Sequence, residues 1–457
     1  MAENEHLAAL LDQLGWNAGR LAHRLAEAGH EIDRTTPWYW IRRGTIPSAP
    51  IAQATASILS SALGQRIQVA AIWPGAKPPG QDDVTAPWSL KGLLTTVEPA
   101  EPPGTWVVTG DDTGALITGY ESAGRERWQA AADERHAPDD ILAESIEESI
   151  PLLRRMDDRN ATMASLIHVD NQVRAVAQQL RLGAPANIQQ RLLTSTSHLC
   201  QLAGWIAFEL GKAGPGQAQA QRYLLNALRA AQLAGDRPLA AHALADLSYQ
   251  AAVFHLDKEA TQFARGAERA VRGASALAIA SVAGRSAFAH ATAGDEAAFI
   301  AARSKAEKAM ENAADAADAP WAYYLTPHHL KVQMGYSLIA LGRGSFTGGS
   351  AKAARRLVTA GAPLLAAAGR EGYAGGPPCP RKAAFELAWV ALGYVYRRDL
   401  EAACTTAARA LAMYEAAPTP RAHRLLSDTA DLLGRRQSSP WVRSLLPQLR
   451  TGIEHPP

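Results

Sequence analysis

The sequence predicts an all-α chain: a small N-terminal domain of short helices followed by a long array of helical hairpins. Three observations carry that prediction. Apolar residues recur at three- and four-residue spacing through most of the long segments. Alanine is abundant while aromatic residues make up only 6%, a composition that favours closely packed helices over sheets. One pattern of small and large apolar residues also returns at intervals through the second half. At 457 residues the chain exceeds one ordinary core. Three parts are expected: a head over 1–75, a linker with short helical or hairpin elements over 76–138, and a repeat domain over 139–457.

The bulk numbers set bounds on partners and compartment. A content of 47% hydrophobic and 20% charged residues is globular, and a net charge of +2 leaves partners open. Cys200, Cys379 and Cys404 are odd in number, far apart and outside any CxxC, which predicts free thiols in a reducing compartment. The acidic, amphipathic start MAENEHLAALLDQLGW is not a secretory signal, and no apolar run approaches the length of a membrane span. A soluble, cytoplasmic protein is expected.

In the head, Leu7, Leu10, Leu11 and Leu14 mark a first amphipathic helix that ends at Gly15. Asn17 is placed to cap a second, whose buried face is Leu21, Ala22 and Leu25, and Gly29 breaks it. Thr36 then reads as an N-cap with Pro37 at the first helical position, and this third helix closes at Gly44. A fourth segment carries Ile51, Ala54, Ile58, Leu59 and Leu63, and IQVAAIWP reads as a short strand or turn.

Short helices with a turn between the second and third make the layout of a helix-turn-helix domain. Its third helix must present its N-terminal residues to the major groove, while basic residues at helix ends hold phosphates. On that reading Arg34, Thr35, Thr36 and Tyr39 face bases, and Arg20, Arg24, Arg42 and Arg43 hold the backbone. Trp40 and Ile41 belong to the core; Trp38 is compatible with either place. Arg20, Arg24, Arg34, Arg42, Arg43 and Arg66 are balanced by Glu3, Glu5, Asp12, Glu27, Glu31 and Asp33, so long-range attraction to DNA is weak. Five of those six arginines nevertheless fall between positions 20 and 43.

The middle opens with PGAKPPGQDDVTAP and VEPAEPPG, whose Pro, Gly and acid content reads as linker around an amphipathic WSLKGLLTTV. TWVVTGDDTGALITGY is either a hairpin turning at Asp111–Gly114 or a loop entering a helix at Ala115. Helices then follow: one with Ile141, Leu142, Ile146 and Ile150, a second from near Pro151, and a third over Met163–Leu182. Asp157 and Asp158 are the nearest thing to a paired-carboxylate signal, but they read as a helix-surface ion-pair network with Arg154, Arg155 and Arg159.

In the tail, Leu244, Leu247, Ser248 and Ala251 precede Ala260, Ala264 and Ala267. The same offsets return as Leu387, Val390, Ala391 and Tyr394 before Ala403, Ala407 and Ala410. A looser copy runs through Gly284 and Phe288, then Ala297 and Ala301, and an earlier unit pairs Leu199–Phe208 with Tyr223–Leu233. Gly235-Asp236 and Gly294-Asp295 mark equivalent turns. These are tetratricopeptide-like spacings, about five units, which stack into a superhelix with a concave groove. GRGSFTGGSAK and GREGYAGGPPCPRK are expected to separate repeats.

Recognisable catalytic signals are missing. GKAGPG at 211–216 and GGSAK at 348–352 lack the Gly-Lys-Ser/Thr end of a phosphate loop, and adjacent His328 and His329 make a poor metal pair. No nucleophile elbow, HExxH or dinucleotide fingerprint occurs. The expectation is a non-enzyme with no catalytic residue, metal or cofactor.

The order of segments resembles a family of actinobacterial, Streptomyces-type transcriptional regulators with a divergent Xre-like helix-turn-helix head and a tetratricopeptide body. The likeness rests on LGWNAGRLAHRL and TTPWYWIRRG, then VTAPWSLKGLL, LLRRMDDRN, LCQLAGWIAFELG and QRYLLNALRAAQLAGDRPLAAHALADLSYQA. It implies a regulator of development or specialised metabolism that binds double-stranded DNA as a homodimer on a palindromic operator. The groove would take a peptide, protein or small-molecule signal. The head departs from the family in being less basic, with Tyr39 where a basic or polar residue is common. The competing expectation is a tetratricopeptide adaptor whose head docks a protein instead of DNA.

Overall fold

A computed structural model describes residues 4–454, apart from 28–29, 31, 48, 64–66, 68, 75–87, 98–107, 109–110, 123–137, 161, 212–214, 314–318, 348–349, 367, 373–375 and 377. Every regular element among the described residues is helical. Gly29 and most of the two Pro/Gly-rich stretches lie outside the described residues.

The head holds α1 (Glu5–Gln13), α2 (Ala18–Glu27), α3 (Thr36–Arg43), α4 (Ala49–Leu63) and α5 (Val69–Ile72). Asn4 and Asn17 cap α1 and α2 by accepting from the backbone N–H groups of Leu7 and Arg20, both at 2.9 Å. Gly15 and Gly44 end α1 and α3 at φ near +62°, where a side chain would be strained. Leu7, Leu11, Leu21, Leu25, Trp40, Leu59, Ile72 and Trp73 form a core of their own. Two expectations are corrected. The described part of IQVAAIWP is not a strand: it holds the one-turn helix α5 and ends in a turn at Pro74, with Trp73 edge-on against Trp40 at 6.0 Å. The cap position of α3 is Thr35, one residue early, and it makes no side-chain cap bond.

After the head come α6 (Leu90–Val97) and α7 (Asp111–Ser122), so Asp111–Gly114 is a first helical turn and not a hairpin. α8 (Asp140–Asn160) runs straight through Pro151, where a break was expected. Ile146, Ile150, Leu153 and Asp157 form one buried stripe across that point. Keeping the stripe continuous outweighs the roughly 3 kcal/mol of an interior proline. α9 (Met163–Leu182) has the expected bounds.

Six antiparallel hairpins follow: α10 (Ala186–Leu210) with α11 (Pro215–Ala234), α12 (Arg237–Val253) with α13 (Asp257–Ala270), and α14 (Ala276–Thr292) with α15 (Glu296–Glu311). The others are α16 (Pro327–Thr347) with α17 (Ala351–Gly361), α18 (Pro380–Arg397) with α19 (Leu400–Ala416), and α20 (Pro420–Gly434) with α21 (Pro440–Glu454). Each first helix packs on the first helix of the next hairpin, which makes an α-solenoid with an inner and an outer layer. The fully buried Ala260, Ala264 and Ala267, and likewise Ala403, Ala407 and Ala410, let the two helices of a hairpin close. In the looser copy the predicted face is wrong: Ala297 and Ala301 are exposed, and Phe299, Ala302, Ala306 and Ala309 are buried.

Turn chemistry repeats with the hairpins. Left-handed Gly235 and Gly294 precede Asp236 and Asp295, whose carboxylates accept from Leu239 and Ala298 N–H at 2.9 and 3.0 Å. Arg398-Asp399 makes the same turn without a glycine. The segment GRGSFTGGSAK does not separate repeats, because α16 continues to Thr347 and pairs directly with α17. Its helix carries Gly335, whose carbonyl oxygen would lie 2.7 Å from a Cβ placed on Gly361. The two backbones therefore touch. Gly361→Ala is expected to lower stability by about 1–3 kcal/mol, while Gly344→Ala, whose Cβ would meet only Gly294 Cα in ordinary contact at 3.9 Å, is expected to be neutral or slightly stabilising. Urea unfolding of both variants checks this.

Candidate functional site

Two surfaces carry chemistry. On the head, Arg20, Arg24, Arg34, Thr35, Tyr39, Arg42 and Arg43 are exposed and Thr36 is half-buried. Trp40 is buried as expected, Ile41 is half-buried, and Trp38 resolves outward at 48% exposure, edge-on to Tyr39. The guanidinium groups of Arg20 and Arg24 stand 5.4 and 5.8 Å from the Trp16 ring, and that of Arg43 stands 4.8 Å from Tyr39. Thr35 is already engaged, since its N–H and hydroxyl both donate to Asp33, whose carboxyl is held below its ordinary range by those bonds.

The second surface is a cavity on the solenoid axis. Side chains from α8, from the segment 321–324 and from all six inner helices reach it, leaving about 80 Å³ of free space. The expected surface network at Asp157 and Asp158 is corrected here. Asp157 is 3% exposed and receives Arg381 at 3.2 Å, and Arg154 is 6% exposed; only Arg155 and Arg159 stay outside. The buried stripe of α8 turns this motif inward.

Burying charge in a low-dielectric interior is tolerable only with partners. Arg285 pairs with Asp246 and donates to the Tyr324 hydroxyl, and Gln201 donates to the other Asp246 oxygen at 2.7 Å. Arg421 pairs with Glu209 and donates to the Tyr249 hydroxyl at 3.0 Å. Lys382 donates to the carbonyls of Glu371 and Gly372 and sits 3.6 Å from Glu386, which accepts from Gly369 N–H. The loop GREGYAGGPPCPRK thus supplies backbone to the site. Aromatic rings pack between the charges: Arg285 stands 5.3 Å from Trp205, and Arg421 stands 4.5 Å from Phe385.

Burial governs the titration of these groups. It raises Asp158 to about 6, against the opposing bond from the Tyr323 hydroxyl, and it also raises Asp157 and Glu386. It lowers Arg154 to about 10 and takes His242 and His329 well below the ordinary histidine range. His198 falls to about 3, through burial and then through Arg154, which donates to its Nδ1 at 3.0 Å. Because arginine only donates, that imidazole is neutral with its proton on Nε2.

Only Asp157, Asp158 and Arg154 of this ring were singled out as a charged cluster from the sequence, and with the wrong location. A usable signal existed. Glu209, Asp246, Arg285 and Glu386 are lone charges inside otherwise apolar or small-residue helices, in WIAFELG, ALADLS, SVAGRSAF and AAFELAW. Among the described residues no cluster of three metal-ligating side chains forms, and His328 approaches Glu371 while His329 lines the cavity.

No family model matches the chain, and no curated protein matches it. Among solved structures it is similar to a circular tandem repeat protein with novel repeat topology and enhanced subunit contact surfaces. That match covers 99% of this chain and 97% of the other, at 13% identity and a TM-score of 0.19.

The neutral His198 predicts an acid-dependent loss of stability. Its folded pKa lies below its unfolded value near 6.5, so the unfolded state binds the extra proton and stability falls as pH drops from about 6.5 toward 3. His198→Asn keeps an acceptor for Arg154 without titrating. Thermal unfolding from pH 7 to 5 is expected to cost wild type up to about 2 kcal/mol more than the variant; identical slopes contradict the assignment.

Proposed function

We propose that the protein is a DNA-binding transcriptional regulator with a helix-turn-helix head and a tetratricopeptide-like body that receives a signal on its axis. The observation that carries this reading is the orientation of α3. Trp40 fixes one side of the helix in the head core, while Tyr39, Arg42 and Arg43 on the helix and Arg34 and Thr35 just before it are exposed. Stacking on Trp16 and Tyr39 orders three of the phosphate-holding arginines before contact, which reduces the entropy lost on binding. With a near-neutral head, a homodimer spanning two half-sites about 34 Å apart supplies the affinity that one copy lacks.

The segment between the head and the hairpins is held to the body at two points. Asn226 of α11 donates to Thr96 O and accepts from the Thr96 hydroxyl, and Gln221 brackets the backbone of Val108 at 2.8 and 2.9 Å. Thr96 of α6 and Val108 are thereby tied to the outer layer of the solenoid.

A second reading, an adaptor with a protein-docking head, is favoured by one feature. Trp38 and Tyr39 are 48% and 40% exposed side by side, the residue types that anchor protein interfaces. Gel shifts against genomic fragments separate the two. Wild type is expected to shift a subset, and Arg42→Ala with Arg43→Ala to weaken binding about tenfold or more and reduce the salt slope by about 2. Absent binding, or equal and salt-insensitive binding by both proteins, overturns the regulator. Loss of a stoichiometric protein partner on Trp38→Ala would then establish the adaptor.

A further inference from the structure

The charges around the cavity are paired with two exceptions. Arg285, Arg421, Arg381 and Lys382 face Asp246, Glu209, Asp157 and Glu386. Arg154 has only neutral partners among the described residues, donating to Pro320 O at 3.2 Å and to His198. Among the described residues Asp158 contacts the Tyr323 hydroxyl, at 2.9 Å, and no cation reaches ion-pair distance, although Arg381 and Arg154 act on it from farther off. These two residues are one helical turn apart on α8, the spacing at which an Arg–Asp pair ordinarily forms. Tyr323 keeps them apart, its hydroxyl on Asp158 and its ring 5.8 Å from the Arg154 guanidinium.

We infer that the cavity receives one free α-amino acid, or an equally small zwitterion, with its carboxylate on Arg154 and its ammonium on Asp158. The inference rests on the ligand-receiving body of the proposed function and narrows its ligand. A purely anionic guest would leave Asp158 without a counter-charge, and a purely cationic guest would leave Arg154 so; a zwitterion satisfies both in a medium where an unpaired charge is costly. Size points the same way. At roughly 10–15 Å³ for each water-sized centre, a space of about 80 Å³ admits about five to eight heavy-atom centres, the scale of a single amino acid and below that of a peptide. Further polar contacts are on hand, because the buried His242 nitrogens and His329 Nδ1 lack hydrogen-bond partners. His242 is itself held flat on Trp321 at 4.2 Å, and Tyr324 gives the guest an aromatic wall.

The test is titration calorimetry and thermal shift on the full chain without DNA, using the twenty free amino acids, butylamine, butyrate and dialanine. One amino acid or a related group is expected to bind and raise the melting temperature. Butylamine and butyrate are expected to bind about ten- to a hundred-fold more weakly than that amino acid, as when a charge-assisted hydrogen bond is lost. Arg154→Met and Asp158→Asn, checked for folding by circular dichroism, are expected to remove the preference for the carboxylate and for the ammonium respectively. Butyrate, butylamine or dialanine binding as tightly as any amino acid overturns the inference, as does no amino acid binding at millimolar concentration. The analogue series on wild type decides even if a variant fails to fold. DNA binding is read separately by gel shift, so its loss counts against the regulator and leaves the ligand inference standing.

Discussion

The ion pair between Arg421 and Glu209 closes the body on itself. The two residues are 212 positions apart, on the inner helices of the sixth and first hairpins, and both are buried. A solenoid whose hairpins touched only their neighbours would leave an open groove. Here the superhelix turns tightly enough that α20 reaches back to α10, and Arg421 also donates to Tyr249 on α12. Arg381 makes a similar bridge to Asp157 over 224 residues, which brings α8 across the ring. The groove becomes a cavity because of these contacts.

Closure by charge has consequences that closure by apolar contact would not. Each buried charge demands a partner, so the inner helices carry one another's counter-ions and lose independence. The aromatic residues between them fill the remaining space and stack on the guanidinium groups, which fixes arginine side chains that would otherwise be mobile. Arg154 and Asp158 stand out against this frame because, among the described residues, Arg285, Arg421, Arg381 and Lys382 each have an opposite charge at hand.

Much of the helical architecture was legible in the sequence because it depends on local spacing. Asn17 capping α2, Leu21 and Leu25 facing inward, and Gly235-Asp236 turning the chain all follow from short-range rules. Tertiary packing overrode those rules where they failed. Pro151 sits inside a helix because the buried stripe around it is continuous, and Arg398 holds a left-handed turn for which a glycine is the usual signal. The cavity was the least legible part. Asp157 and Arg381 are distant in the chain, and no periodicity states that position 157 points toward position 381. The head residues were placed on the surface by the same local logic that placed Trp40 in the core.

A double-mutant cycle on Arg421 and Glu209 tests the closure most directly. Arg421→Met, Glu209→Gln and the double variant are compared by denaturant unfolding, followed by circular dichroism. Each single change is expected to cost about 3–5 kcal/mol by stranding a buried group. The double change is expected to cost less than their sum by about 2 kcal/mol or more. Additive losses would contradict a body held closed by this pair.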